Sequence, residues 1–340
     1  MLLVIARKYD PKFPSAIGGV IVSSENLIKF LDKNEIKYNL IDTNKKKYLN
    51  NLSAYYHIAR QILLNIKGHD HIAMNLNERE IIAIAPIVVV SSIFLKKKVS
   101  LRVFGGNFNI LYKKNFFNKY LINFILRRVD VSFLQTRFLV EKFPFSNIKW
   151  LPTCRYLNDF KMNVELNSER SYQAKFVFIG QIKNSKGVQI ILNAFKKIEK
   201  GVVDFYGPLE DFIEADLNTK NSTYKGILKQ CDVIDTLSQY DFLVFPTIHL
   251  GEGYPGVIIE SYAAGTPVIS TDWMSIPEIV EHGKTGFLIE PNNTEALVKV
   301  LSTIDERRYE NMRILAKDKF DEFDCDQVYG FYLKNLAGDS

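Results

Sequence analysis

The chain has 340 residues, of which 47% are hydrophobic and 24% are charged. This composition is ordinary for a globular protein and excludes a disordered one, and the length suits two domains better than one. The net charge is +6, but residues 1–160 hold 25 Lys and Arg against 11 Asp and Glu, whereas the remainder holds 19 against 27. A basic half of this kind attracts anionic partners such as nucleic acid, an acidic lipid surface or a phosphorylated substrate.

Three cysteines lie far apart and form no C-x-x-C pair. Neither a disulfide framework nor a zinc site is therefore predicted, and a reducing cytoplasm is expected. The opening MLLVIA has only six residues before Arg7 and lacks a cleavage site, which favours a first strand over a secretory signal. The longest apolar run, residues 81–95, is shorter than the roughly 20 residues needed to span a bilayer. It predicts a buried helix.

Alternating strand and helix patterns fill the first half of the chain. The strand over MLLVIA is followed by Gly18-Gly19 and then by a helix with apolar residues on one side. A later strand, residues 99–104, leads into Gly105, Gly106 and Asn107. Because ligands approach open α/β sheets where strands end in glycines, this end of the sheet is a candidate ligand site.

Residues 111–128 mix aromatic and basic side chains. The apolar members are Phe116, Phe117, Tyr120, Leu121, Phe124 and Ile125, and the cations are Lys113, Lys114, Lys119, Arg127 and Arg128. Basic amphipathic segments bind anionic membranes through charge and buried apolar area. An apolar helical face packed into the domain core gives the same pattern, so both interpretations stay open.

The first domain is predicted to end with strands over residues 131–135 and 147–152, followed by a hinge in WLPTCRYLNDF, residues 150–160. The second domain opens with a strand in KFVFIG, a loop that contains Gln181 and Lys186, and a helix with apolar spacing from residue 188 to 198. Two further short strands follow, VVDFY before Gly207 and a strand around Gly226.

The segment GEGYPGVIIE, residues 251–260, carries the clearest signal of function. A buried strand over 242–245 precedes it, Pro255 suits the first turn of a helix, and Gly265 suits the end of that helix. Glu252 is therefore predicted to lie before the helix and Glu260 within it. Two glutamates on the protein surface would be the alternative for such a pair.

Gly253 and Gly256 leave backbone N–H groups open at the predicted helix N-terminus. Unsatisfied donors and the helix dipole both favour a phosphate group there, so a diphosphate is the expected ligand. The carboxylates of Glu252 and Glu260 would flank this anion and accept hydrogen bonds from sugar hydroxyls.

The longer stretch EGYPGVIIESYAAGTPVISTDWMSIPEIVEHGKTGFLIEP resembles the signature of the retaining glycosyltransferases of family four, the glycosyl transferases group 1. The resemblance implies the GT-B fold, in which two Rossmann-like α/β domains face each other across a cleft. An N-terminal acceptor-binding domain would span residues 1–155 and a nucleotide-sugar-binding domain residues 156–318. A C-terminal helix within residues 319–340 would return to the first domain.

The resemblance also implies roles for individual residues. Glu260 would hold the ribose hydroxyls, while Glu252 would position the donor sugar and Lys186 would stabilise the departing diphosphate as the catalytic pair. Its other implied donor-binding residues are Gly18, Gly19, Gln181, Gly207, Ile227, Gly253, Tyr254, Pro255 and Gly256. Gly106 and Asn107 are candidates for the sugar or the acceptor.

Two positions depart from the family pattern. Gln181 stands where the family has an arginine, and a neutral amide cannot supply the charge and bidentate geometry of a guanidinium. No histidine follows residues 99–104, where many members place one near the donor sugar. Asp324-Cys325-Asp326 matches a D-x-D metal signature, but it opens a C-terminal helix instead of ending a strand. No metal is expected.

The function implied by the resemblance is retaining transfer of a sugar from a nucleoside diphosphate sugar, with uridine the expected base. The acceptor would be a lipid-linked or polysaccharide hydroxyl in bacterial surface-polysaccharide synthesis, such as that of O-antigen, capsule or lipopolysaccharide. The expected location is the cytoplasm or the inner face of its membrane, with no nucleic-acid partner. A nucleotide-sugar epimerase, a sugar phosphorylase and a non-catalytic nucleotide-sugar-binding partner are the alternatives.

Overall fold

The computed structural model describes residues 1–12, 18–157 and 171–337. The chain divides into two compact units, the first formed by residues 1–154 with the C-terminal segment from Cys325 onward, and the second by Arg155–Asp324. Residues 158–160, the end of the predicted hinge, lie outside the described residues. The return to the first unit begins six residues later than predicted, because a 3-10 turn at Phe320–Phe323 still packs against helices of the second unit.

The first unit contains a six-stranded parallel sheet in the order β2-β1-β3-β4-β5-β6. Its strands are β1 (Leu2–Ala6), β2 (Tyr38–Asp42), β3 (His71–Asn77), β4 (Lys98–Phe104), β5 (Val131–Leu134) and β6 (Ile148–Trp150). Its helices are α1 (Gly19–Lys33), α2 (Asn51–Asn65), α3 (Glu78–Leu95), α4 (Phe108–Lys113), α5 (Phe116–Arg128), α6 (Arg137–Lys142) and, from the C-terminus, α13 (Cys325–Ala337).

Helices cover both faces of this sheet. Right-handed crossovers place α1 on one face and α2 to α6 on the other; accordingly α1 packs with α13, and α3 packs between α2 and α5. All five residues of β1 are buried, as expected for a central parallel strand. The inner sides of α2, α3 and α5 contribute Ile58, Ile84 and Ile125 to one apolar core.

The apolar run at residues 81–95 lies in α3, whose start is fixed by polar residues before it. Asn77 caps the helix, and the side chain of Glu80 bonds back to the Asn77 backbone, which satisfies N–H groups that helix geometry leaves unpaired. The inner side of α3 is buried, as predicted, but Phe94 on its outer side is 82% exposed. No helix in the described ranges combines the length and apolar character that a membrane span needs.

The segment at residues 111–128 is divided between two helices, α4 and α5, and is therefore not one continuous face. Asn115 ends the connection between them, because its side chain accepts a hydrogen bond from the Asn118 backbone at 2.7 Å. The first turns of α5 expose Phe116, Phe117 and Tyr120, whereas its later turns bury Ile125. The interpretation as an apolar face packed into the core is thus confirmed for the later turns of α5, and the membrane interpretation of the exposed aromatic residues stays a prediction.

The second unit contains a second six-stranded parallel sheet, in the order β12-β11-β10-β7-β8-β9. Its strands are β7 (Lys175–Ile179), β8 (Val202–Tyr206), β9 (Ser222–Tyr224), β10 (Phe242–Phe245), β11 (Val268–Thr271) and β12 (Gly286–Ile289). Its helices are α7 (Val188–Phe195), α8 (Glu214–Leu217), α9 (Val233–Leu237), α10 (Gly256–Ala263), α11 (Thr294–Thr303) and α12 (Glu306–Lys319).

The strand and helix predicted around GEGYPGVIIE are confirmed as β10 and α10. Helix α7 ends at Phe195, three residues before the predicted end at Ile198. The backbone N–H groups of Lys197 and Ile198 both donate to the Ala194 carbonyl in a closing turn before Gly201. These two Rossmann-like units confirm the predicted α/β class.

Candidate functional site

The predicted site residues of the second unit lie where the order of strands along its sheet reverses. The chain leaves β7 towards β8 on one side, whereas β10 pairs with β7 on the other. Loops that follow such neighbouring strands diverge, which leaves a crevice at the carboxyl ends of the strands. The loop after β7 carries Lys186, and the loop after β10 carries Glu252.

Lys186 and Glu252 form a buried ion pair between these loops. The Lys186 ammonium donates to Glu252 Oε1, and the Thr247 hydroxyl donates to the same oxygen at 3.2 Å. Burial, assisted by the nearby charge of Lys183, lowers the pKa of Lys186 to about 8. The two residues predicted to act as the catalytic pair are thus in direct contact.

Gly187 allows these loops to approach each other. Its φ is +82°, and a Cβ atom there would lie 2.2 Å from the carbonyl oxygen of Pro246. Only glycine satisfies both conditions. The position of Lys186 against Glu252 therefore depends on a glycine directly after the lysine.

Helix α10 presents an uncapped N-terminus beside Glu252. Pro255 precedes the helix in an extended conformation, and no side chain caps it. The first N–H groups, those of Gly256 and Val257, have no partner within the helix by its geometry. This end of α10 can donate hydrogen bonds to an anion, as expected from the sequence.

Glu260 lies one turn into α10 and is also buried. Its Oε1 accepts hydrogen bonds from Arg155 Nε and from Gln230 Nε2, both at 2.7 Å. Glu252 is 7% exposed and Glu260 5%, so the alternative of two surface glutamates is wrong. Burying two carboxylates is costly unless they are paired, and each has a cationic partner.

Each carboxylate keeps one oxygen available. Within the described part of the chain, the hydrogen bonds to Glu252 and to Glu260 all go to Oε1. A carboxylate can accept about four hydrogen bonds over its two oxygens. The two Oε2 atoms can therefore accept hydrogen bonds from ligand hydroxyls.

The predicted residues around α10 differ in what they offer a ligand. Tyr254 is buried, and its hydroxyl donates to Glu278 Oε2 at 2.5 Å, so its side chain fixes the loop and only its backbone is left for a ligand. Gly253, next to it, is buried as well. These contacts hold the loop before α10 in one conformation.

Three donor-site predictions fall on the loops after β7, β8 and β9. Gln181 is exposed, and its amide donates to Glu210 Oε1 at 2.5 Å. Gly207 has φ +141°, and a Cβ there would lie 1.8 Å from the Gly180 carbonyl oxygen, so it lets the first two loops touch. Ile227 is 70% exposed and is not a core residue.

The first unit contains a cavity of about 470 Å³ at the carboxyl ends of its central strands. Among the described residues, four cations and one carboxylate line it, namely Arg7, Lys45, Lys46, Arg79 and Glu78. Gly18 and Gly19, at the start of α1, directly precede two lining residues, Val20 and Ile21.

Gly106 and Asn107 follow β4 beside this cavity. The Asn107 backbone donates to Glu78 Oε1 at 2.8 Å, and burial raises the pKa of Glu78. The structure places this pair and the Gly18-Gly19 loop at the ends of strands of the first unit, and the glutamates with Lys186 at the ends of strands of the second.

Sequence reasoning missed the partners of Glu260 and the cations of the cavity. Arg155 lies in the predicted hinge and Gln230 in a short 3-10 turn, at separations of 105 and 30 residues from Glu260. No short motif joins residues so far apart. Arg7 follows β1, Lys45 and Lys46 follow β2 and Arg79 follows β3, and this recurrence of cations after strands is the signal that could have revealed them.

Comparison with known proteins relates this site to a family. The sequence model of the glycosyl transferases group 1 family matches residues 173–305. The capsular polysaccharide biosynthesis glycosyltransferase CapM of Staphylococcus aureus is 28% identical over 180 residues, which cover 47% of this chain and 47% of that protein. The chain spans less than half the length of several other curated relatives that it matches.

Two comparisons extend over more of the chain. The uncharacterized glycosyltransferase MJ1178 of Methanocaldococcus jannaschii is 25% identical over 319 residues, 85% of each chain. The structure of Anabaena HepE, solved in complex with UDP, matches 99% of this chain and 100% of its own with a TM-score of 0.75 at 13% identity, which shows a shared fold. The part of this chain that matches the glycosyl transferases group 1 family, residues 173–305, holds Lys186, Glu252 and Glu260.

Proposed function

We propose that this protein is a glycosyltransferase that moves a sugar from a nucleoside diphosphate sugar, with UDP the expected nucleotide, to a hydroxyl group of a glycan. One observation carries the proposal. Two buried glutamates flank the uncapped N-terminus of α10, and each is held by a cation through Oε1 with Oε2 left for a ligand. HepE was solved with UDP and with UDP-glucose, which supports this choice of donor.

Different residues contact different parts of the donor. Glu260 Oε2 accepts the ribose hydroxyls, Glu252 Oε2 accepts hydroxyls of the sugar, and the N–H groups at the start of α10 bind the diphosphate. Lys186 adds positive charge as negative charge grows on the leaving phosphate oxygen. Gly207 and Ile227 border the base.

The transfer breaks the bond between the anomeric carbon and the β-phosphate oxygen and forms a bond from that carbon to the acceptor oxygen. The electron pair of the broken bond stays on the nucleoside diphosphate, and the acceptor's proton passes to a phosphate oxygen. Attack on the same face retains the anomeric configuration. Glu252 is paired with Lys186 and positions the sugar, so it is not assigned as a nucleophile.

The proposed reaction needs no divalent metal. A lysine and helix N–H groups can supply the countercharge to a diphosphate that a metal ion supplies elsewhere. Chelator-treated protein should therefore keep its transfer activity, and a strict requirement for Mg²⁺ or Mn²⁺ would contradict this part of the proposal.

The proposed acceptor is a lipid-linked glycan of a bacterial surface polysaccharide. The name of the relative CapM, a capsular polysaccharide biosynthesis glycosyltransferase, supports a polysaccharide product. The surface of the first unit supports a membrane-attached setting. Twelve of the twenty exposed large hydrophobic residues in the described ranges fall between residues 49 and 120. Residues 45–128 hold fifteen Lys and Arg and only three Asp and Glu.

The helices α2, α3 and α5 carry most of this exposed apolar area on their outer sides. Phe116, Phe117 and Tyr120 on α5 are 84%, 64% and 68% exposed, and Phe94 projects from the last turn of α3. Because these helices pack side by side, they form one layer, called here the α2–α3–α5 layer. Its aromatic rings, together with one exposed lysine and four exposed arginines in the same helices, fit an anionic lipid surface on the inner side of a membrane, and each Lys or Arg near such a surface contributes about 1 kcal/mol.

The reaction is tested by incubating the protein and bacterial membranes with a panel of radiolabelled nucleotide sugars. We expect one donor to pass its label to a membrane-extractable glycan. If a donor binds but is neither transferred nor hydrolysed, the protein is a non-catalytic nucleotide-sugar-binding partner. Conversion of the donor to an isomer without an acceptor would identify an epimerase, and release of a sugar phosphate would identify a phosphorylase.

A further inference from the structure

Arg155 holds an unusual position for a residue that begins the second unit. Its backbone N–H donates to the Phe323 carbonyl at 2.9 Å, and its side chain is only 5% exposed. The Nε atom donates to Glu260 Oε1 at 2.7 Å. Arg155 is therefore held through both its backbone and its side chain, and its guanidinium is directed at α10.

The guanidinium lies beside the first residue of α10. A Cβ atom on Gly256 would be 1.9 Å from Arg155 Nη2, so the absence of a side chain at Gly256 makes room for the arginine. Since the Cα–Cβ bonds of a helix tilt towards its N-terminus, Nη2 lies towards the end of α10 that carries unpaired N–H groups. Glycine is thus needed at position 256 because the guanidinium occupies the space of a side chain there, and not because the backbone turns at this residue.

A buried cation at this end of a helix is unfavourable by itself. The helix N-terminus is already positive, and cations are stabilised at the opposite end. Glu260 Oε1 pairs with the guanidinium from within the helix. An anion bound at the start of α10 would be attracted by the guanidinium and by the helix N–H groups together, and an arginine fork matches the geometry of phosphate oxygens.

The loop after β7 has Gln181 at the position where the family pattern has an arginine. Gln181 is neutral, and its amide bonds to Glu210 at the surface. Lys186 has a pKa lowered to about 8 by burial, so its charge is partial in mildly alkaline solution. A guanidinium remains charged throughout this range.

We propose that Arg155 is the second cation of the diphosphate site, in the role that an arginine at position 181 has in the family. This inference rests on the proposed function, because it takes the diphosphate to bind at the start of α10. Arg155 contacts the phosphate through Nη2 while its Nε keeps Glu260 oriented towards the ribose. As the bond to the sugar breaks, Arg155 stabilises the charge that grows on the leaving nucleoside diphosphate.

The test compares two ligands and four proteins. The ligands are the diphosphate that the unaltered chain binds most tightly among UDP, GDP, ADP and dTDP, and the matching nucleoside, both measured by calorimetry or by competition. The proteins are the parent, Arg155→Gln, Gln181→Arg and the double variant. Arg307→Gln, which removes an exposed arginine of α12 in the same unit, is the control for loss of one positive charge.

We expect Arg155→Gln to weaken binding of the diphosphate about ten- to thirty-fold and binding of the nucleoside at most about threefold, since the nucleoside loses only the orientation of Glu260. Gln181→Arg should recover most of this loss in the double variant, and Arg307→Gln should change neither affinity. A purely structural role predicts equal losses for both ligands and no recovery, and that result would overturn the assignment.

Two further outcomes are also decisive. If Arg155→Gln does not fold, Arg155→Lys keeps the charge without the fork, and a diphosphate affinity within about threefold of the parent supports the assignment, whereas a tenfold loss shared by the nucleoside contradicts it. If the unaltered chain binds none of the diphosphates, the proposed function fails together with this inference. Normal binding with equal losses contradicts the role of Arg155 alone.

Discussion

The buried ion pair of Lys186 and Glu252 joins two loops, and the charge of Lys186 depends on pH. The pKa of Lys186 is lowered to about 8, so raising the pH through this value removes the proton that makes the residue a cation. The proposed role in stabilising the leaving diphosphate needs that proton.

We therefore expect kcat/KM for the donor to decrease as the pH rises through about 8 to 9, and Lys186→Arg to remove this decrease because a guanidinium does not titrate in this range. Steady-state rates between pH 6.5 and 9.5 for both proteins provide the comparison. An equal alkaline decrease in Lys186→Arg would assign the titration to another group.

Among single residues, the sequence predicted those that lie within a short, regular spacing. Seven residues separate Glu252, which lies before α10, from Glu260 within it, and both belong to one motif. Lys186 lies in a loop with its own pattern. Arg155 could not be predicted, because its contact with Glu260 spans 105 residues and depends on how a hinge segment packs beneath a helix. The burial of both glutamates could not be predicted either, because their spacing in the sequence would be the same if they were exposed.

At the scale of elements, the loops after β7 and β10 approach each other only because residue 187 is a glycine. We expect Gly187→Ala to lower the free energy of unfolding by about 1–3 kcal/mol, since alanine would meet the Pro246 carbonyl and would have to adopt a positive φ. Donor turnover should fall as well, because Lys186 would separate from Glu252.

Gly330→Ala is the matched control for this change. Gly330 lies inside α13 with nothing within 4 Å of an added Cβ, so alanine there should leave stability unchanged or raise it by up to about 1 kcal/mol. Chemical denaturation and donor kinetics measure both effects. Equal stability of the two variants would show that the loops do not depend on Gly187.

The α2–α3–α5 layer makes a prediction about membranes. The triple variant Phe116→Ser, Phe117→Ser and Tyr120→Ser should lose most of the binding to vesicles of phosphatidylglycerol and phosphatidylcholine, and binding of the parent should be weak on phosphatidylcholine alone and at high salt. Co-sedimentation measures the bound fraction.

The control for the layer carries the same number of apolar-to-serine changes at Ile213, Ile227 and Ile314, which are 65%, 70% and 63% exposed on the second unit. Its binding should match that of the parent. Failure of the parent to bind anionic vesicles, or equal losses in the two triple variants, would exclude the layer as a membrane surface.

The elements of the parallel sheets were the easiest part to predict, because buried strands read as continuous apolar runs with polar or glycine ends. The ends of helices were harder. The apolar pattern of α7 continued into a single closing turn, and the pattern of residues 111–128 concealed the break at Asn115, whose cap on α5 depends on one side-chain hydrogen bond.

At the scale of the whole molecule, the chain builds two Rossmann-like units and returns to the first through α13. Arg102 shows how that return is held, because this fully buried cation donates to the Tyr329 hydroxyl of α13 and to the Pro152 carbonyl, both at 2.9 Å. The sequence predicted the two units and the return through a family resemblance. It could not place the return at Cys325, since the turn at Phe320–Phe323 stays with the second unit through tertiary packing.

The asymmetry of charge between the two halves of the sequence has a structural counterpart. The basic half forms a unit with a cavity lined by four cations and the α2–α3–α5 layer, whereas the half with more acidic residues contains the two paired glutamates. In the proposed function, the first unit contacts an anionic membrane or acceptor, and the second binds the hydroxyls of a nucleotide sugar.

The central claim is that Glu260 binds the ribose of the nucleotide and Glu252 positions the sugar. It is tested most directly by measuring the binding of the bare nucleoside diphosphate and the turnover of the intact donor. Glu260→Ala should weaken binding of the nucleotide about tenfold or more, since the ribose hydroxyls lose a charged acceptor. Glu252→Ala should leave that affinity within about threefold and reduce transfer from the intact donor by at least a hundredfold. Equal nucleotide affinity in Glu260→Ala and the parent would contradict the account.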